Sequence, residues 1–154
     1  MTVPLTTAPD TARLTAASAL QTLLPELVAL GLHAKQAHWN VTGPGFLPLH
    51  TLTDRIAADV NGWADRVAER AVVLGFSVDA RPTTVSSATG PFPAGRPTDH
   101  EVVAELAELI EGVAIRARGS LGDLERDDAV AYDLTVEILE DLDKYHWMLQ
   151  AQTP

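Results

Sequence analysis

Residues 48–74 read PLHTLTDRIAADVNGWADRVAERAVVL. Within them Leu49, Leu52, Ile56, Val60, Trp63, Val67, Ala71 and Leu74 recur at intervals of 3-4-4-3-4-4-3, which is one apolar stripe along an α-helix. At about 100° per residue the opposite face carries a polar row of His50, Asp54, Asp65 and Glu69. His50 and Asp54 are four residues apart, as are Asp65 and Glu69, so each pair can meet one ion from one side of the helix. Asp54 and Asp65 lie about 16 Å apart at about 1.5 Å of rise per residue, so no single ion touches both pairs of one helix. The four positions are mirror-placed about the point between Asp59 and Val60. Two copies of the helix crossing antiparallel there would set His50 against the partner's Glu69 and Asp54 against the partner's Asp65. A two-fold axis then generates two identical shared sites. Ala57, Ala58, Asn61 and Gly62 surround the crossing point and are expected on the outer face, where small residues permit close approach.

Outward from this helix, the chain reads as helical throughout. A first helix is expected from about Thr11 to Ala37, with Leu20, Leu23, Leu24, Leu27, Leu30 and His33 at helical spacing. Pro25 falls inside it and predicts a kink or a local restart. Gly43-Pro44-Gly45 marks a turn before the second helix, and Gly75 can end that helix. The stretch Phe76–Pro97, with four prolines and two glycines, is a long crossover with room for one short helical turn. Thr98-Asp99-His100-Glu101 is a capping box opening a third helix, whose core stripe is Val103, Leu106, Ile110, Val113 and Ala117. A turn is expected over Gly119–Asp127, then a fourth helix carrying Leu134, Ile138, Leu142, Tyr145 and Leu149 inward. The expected fold is all-α, a four-helix bundle with a long crossover between helices 2 and 3. The expected domain is 11–150, preceded by a mobile Thr/Pro-rich tail over 1–10.

Composition narrows the function classes. The chain has 154 residues, no cysteine and a formal net charge of −10, with 21 acidic side chains against 11 basic ones. Thiolate metal sites and disulfides are excluded, and so acidic a surface attracts cations and repels nucleic-acid phosphate. No uninterrupted apolar run suggests a membrane span, and Met1–Asp10 lacks the basic and apolar regions of a signal peptide, so a cytoplasmic protein is expected.

Taken singly, Asp65 and Glu69 read as a solvated helix face, His50 as a residue of a first helical turn and His38 as a half-buried histidine. Their order, symmetry and placement opposite the core stripe favour ligation. Histidine with carboxylate is a donor set suited to iron. Bundles that bind two metals internally use Glu-x-x-His motifs aimed at the core. This chain contains none, so the expected site lies between subunits. His33, His100 and His146 are read as structural or surface residues, and so is Asp143-x-x-His146. Arg66 and Arg70 are expected to pair with nearby acids, Trp39 to pack beside the site and Trp63 to lie in the core.

The segments Lys35-Gln36-Ala37-His38-Trp39-Asn40-Val41-Thr42-Gly43-Pro44, Leu49-His50-Thr51-Leu52-Thr53-Asp54 and Asp65-Arg66-Val67-Ala68-Glu69-Arg70-Ala71 resemble the Dps family of miniferritins, and Asp141–Trp147 resembles that family's last helix. The resemblance implies a ferritin-like four-helix subunit that assembles as a hollow dodecamer, oxidises Fe(II) with hydrogen peroxide or dioxygen, and stores Fe(III) mineral. It implies that His38, His50 and Asp54 of one subunit act with Asp65 and Glu69 of its two-fold mate as catalytic and metal ligands, iron being the metal. Trp39 matches the family's tryptophan beside that centre. Many members bind DNA through lysine-rich tails. Here the first 34 residues carry one Lys or Arg, Arg13, and the last five carry none, so weak or absent DNA binding is expected. The alternatives are a nucleoid-associated, DNA-protecting protein with a structural metal site, and a zinc-binding bundle using the same donors. Asp123, Asp127, Asp128 and Asp133 are candidates for an acidic iron-entry pore.

Overall fold

The computed structural model describes residues 8–152. Helices α1 (Asp10–Asn40), α2 (Phe46–Val73), α4 (Asp99–Asp127) and α5 (Ala129–Gln150) form the bundle, and α3 (Pro82–Ala88) is the short helix within the crossover. There is no β-strand among the described residues. Residues 1–7 of the expected tail lie outside them, and Asp10 already opens α1.

The apolar stripe of α2 is the spine of the core. Leu49, Ile56, Val60, Trp63, Val67, Ala71 and Leu74 are buried, and Leu52 is half-buried. The anticipated inward residues of α4 and α5 are buried as well. Tyr145 of α5, fully inside, donates its hydroxyl hydrogen to Asp59 at the middle of α2, and burial followed by that carboxylate pushes its pKa up.

Helices α1 and α2 form an antiparallel pair through a short turn, and α4 starts beside that turn. The Thr42 amide donates to Pro97 O (2.9 Å), the Asp99 amide to Thr42 O (2.8 Å) and the Gly45 amide to the Asp99 carboxylate (2.7 Å). The crossover therefore returns the chain along the bundle, and α4 runs parallel to α2. The Asp99 carboxylate fills the space above the turn. A Cβ on Gly43, which sits at φ 113°, would lie 2.8 Å from Asp99 Oδ1, so only glycine fits there. At the other end Gln21 exchanges hydrogen bonds with the backbone of Asp79 (2.8 Å each), tying the crossover to α1.

Three sequence expectations are corrected. The local restart expected at Pro25 does not occur, and α1 runs on through it. An internal proline costs about 3 kcal/mol, but Leu20, Leu23, Leu24, Leu27 and Leu30 are all buried along α1, each contributing about 1.5–3 kcal/mol. Second, the stretch Gly119–Asp127 is not a turn but the end of α4. The core stripe continues through half-buried Leu121 and buried Leu124, and this outweighs about 1 kcal/mol for each of Gly119 and Gly122. Third, Ala57 is buried, leaving Ala58, Asn61 and Gly62 as the exposed small residues near the middle of α2.

Asp128 makes the corner between α4 and α5, accepting from the Ala131 amide (2.7 Å) and pairing with Arg70. That role occupies one of the four pore candidates. Asp123 and Asp127 are paired with Arg126, and Asp133 is exposed. Helix α1 is apolar and long enough to cross a membrane by length and composition, but most of that window is buried in the bundle.

Candidate metal centre

The last turn of α1 and the first turns of α2 bring His38 and His50 together. Their rings stack with centroids 3.7 Å apart and 19° between planes. His38 Nδ1 lies 2.8 Å from His50 O, and His50 Nδ1 lies 2.9 Å from His38 O. A carbonyl oxygen only accepts, so both Nδ1 atoms carry hydrogen. In the neutral imidazoles each Nε2 then presents a lone pair, the form in which histidine binds a metal. Phe46 stacks on the outer side of His50 at 5.2 Å. One turn along, exposed Asp54 accepts from the Lys35 ammonium across the helix pair. That hydrogen bond, with the nearby charge of Lys35, lowers the Asp54 pKa from its ordinary value.

Asp65 and Glu69 stand on the same helix, exposed, and make no hydrogen bond or ion pair among the described residues. Their neighbours Arg66 and Arg70 do pair. Arg66 makes two bonds to Glu137 of α5 (2.8 and 2.6 Å), and Arg70 makes two to Asp128 (3.2 and 2.5 Å). Within one chain, no three His, Asp or Glu side chains converge closely enough to hold a metal ion among the described residues. The structure brings His38 and His50 together, sets Asp54 one turn along α2 on Lys35, and leaves Asp65 and Glu69 apart from them.

Trp39, next to His38 in the chain (69% exposed), and Leu47, three residues before His50 (67%), are exposed, as is Phe46. His33 is half-buried, stacks on Phe92 and lies 2.9 Å from Thr89 Oγ1, and burial lowers its pKa. His100 is exposed at the start of α4, and Asp143 is engaged by Arg118. Sequence reasoning missed Lys35 and Phe46 as neighbours of the site. Lys35 had a signal: it is one of only two lysines and sits one turn before His38.

A ferritin-like domain model matches residues 17–153. A "DNA protection during starvation protein" from Mycolicibacterium smegmatis is 34% identical over 137 residues, covering 88% of this chain and 75% of the relative. The chain belongs to the Dps family. "DNA protection during starvation protein 2" of Deinococcus radiodurans is 36% identical over 135 residues, but this Dps chain spans only 56% of that relative's length. Dps from Microbacterium arborescens, solved in a high iron form, shares the fold with a TM-score of 0.90 at 29% identity, covering 97% of each chain.

Proposed function

We propose that this Dps-family chain is a ferroxidase and iron store, a cytoplasmic homo-dodecamer whose oxidation sites are shared across two-fold interfaces. One observation carries the reading. Two imidazoles with free Nε2 atoms stand beside Asp54 at one end of the outer face of α2, and two partnerless carboxylates stand mirror-placed at the other. Neither half is a site alone, and a two-fold axis near Asp59 completes both. The exposed Trp39, Phe46 and Leu47 beside the histidines are large apolar side chains that such an interface would cover.

At the completed site His38, His50 and Asp54 would hold Fe(II) from one side, with the partner's Asp65 and the partner's Glu69 from the other. Imidazole sustains Fe(II) affinity, and the hard carboxylates favour Fe(III). Two Fe(II) ions supply one electron each to one hydrogen peroxide. The O–O bond breaks, two protons are taken up and two waters leave, so no hydroxyl radical is released. The relatives' printed names concern DNA protection, and a relative is described in a high iron form. With 21 acidic residues against 11 basic ones, protection here would come from removing Fe(II) and peroxide rather than from coating DNA. Anaerobic Fe(II) loading followed by peroxide tests the reading. About one peroxide consumed per two Fe(II), with absorbance and particle mass rising together, is the expected result. Oxidation no faster than in protein-free buffer would remove it.

A further inference from the structure

Arg66 stands between the two carboxylates of the C-terminal half of α2. It follows Asp65 directly and lies three residues before Glu69, a spacing at which helical side chains meet. On an isolated helix its guanidinium would fall onto Glu69 and occupy the lone pairs that a metal ion needs. In the fold it is turned aside. Both of its terminal nitrogens donate to Glu137 of α5, Nη1 to Oε1 at 2.8 Å and Nη2 to Oε2 at 2.6 Å. This two-pronged arrangement fixes the plane of the guanidinium as well as its distance. Glu69, Arg66 and Glu137 line one groove between α2 and α5, so the captured arginine stays within reach of the carboxylate it leaves free.

We propose that Glu137 is a positioning residue that holds Arg66 off Glu69 and so keeps that carboxylate open to Fe(II). The inference rests on the shared-site reading above. The histidine side of the interface is built differently, because Lys35 stays on Asp54 and an arriving cation must displace it there.

The test compares four full-length assembled proteins: wild type, Glu137→Gln, Arg66→Gln and the double variant. Fe(II) affinity is measured anaerobically by calorimetry at low ionic strength. Glu137→Gln frees Arg66 and should weaken binding by roughly two- to fivefold, the span of an exposed helical ion pair. In the Arg66→Gln background the same change should have no effect. Equal weakening with and without Arg66 would show that Glu137 acts only as a distant negative charge, and no weakening in either background would also overturn the proposal. Glu137→Asp keeps the charge and shortens the reach, so it should weaken binding as well. Wild-type affinity in that variant counts against the proposal even if Glu137→Gln fails to assemble. An Asp65→Ala, Glu69→Ala control separates the two claims: unchanged Fe(II) affinity there would remove the shared site itself.

Discussion

The two halves of α2 are built in opposite ways. In the N-terminal half every candidate ligand is already engaged. His50 is locked against His38 through two backbone carbonyls, and Asp54 holds Lys35. In the C-terminal half Asp65 and Glu69 hold nothing among the described residues, while the arginines beside them are drawn away to Glu137 and Asp128. One half is organised by its own chain, and the other stands open; on the proposed reading a second subunit completes it. Among the described residues no three of these side chains therefore converge within a single chain, although His50, Asp54, Asp65 and Glu69 follow one symmetric pattern.

The largest expected effect comes from removing the open half. Asp65→Ala with Glu69→Ala should lower the rate of Fe(II) oxidation by roughly a hundredfold or more. Both side chains are exposed and unpartnered, so chemical denaturation should show a stability change within about 0.5 kcal/mol. A loss of several kcal/mol would mean that this half is structural and would erase the contrast.

The organised half should respond through stability first. Gly43→Ala places a Cβ against the Asp99 carboxylate at a positive φ and should cost about 2–3 kcal/mol. Hydrogen exchange should quicken in the first turns of α2, near His50, and stay slow around Asp65 and Glu69. Uniform quickening along α2 would show that the two halves are not independently anchored.

The smallest effect is expected at Lys35. Lys35→Met removes the competitor for Asp54, so Fe(II) affinity should rise about two- to fivefold with little change in stability, because the pair is exposed. The depressed Asp54 pKa should also return toward its ordinary value of 3.8 in a carboxyl NMR titration. Unchanged or weaker binding would show that Lys35 does not guard this carboxylate.

Much of this architecture was legible in the sequence, since regular spacing reports which face of a helix is buried. The stripe from Leu49 to Leu74 and the exposed row of Asp54, Asp65 and Glu69 both follow from a 3.6-residue repeat. What stayed hidden depends on contacts between distant segments. The His38–His50 lock needs the end of α1 docked on the start of α2, and the Arg66–Glu137 pair joins residues 71 positions apart. The expected turn at Gly119 failed because local glycine preference lost to the burial of Leu124. The second role of Asp99 was hidden because it sits in a capping sequence that already accounts for it.

On the proposed reading a working site takes its histidines from one subunit and its open carboxylates from another. One variant carries His50→Ala and Asp54→Ala, and a second carries Asp65→Ala and Glu69→Ala. Each shell alone should be inactive. Dissociated, mixed in equal amounts and reassembled, they should recover about a quarter of wild-type Fe(II) oxidation, because random pairing leaves about one site in four with both halves intact. Mixed shells, verified by native mass spectrometry, that regain no activity would contradict the shared site.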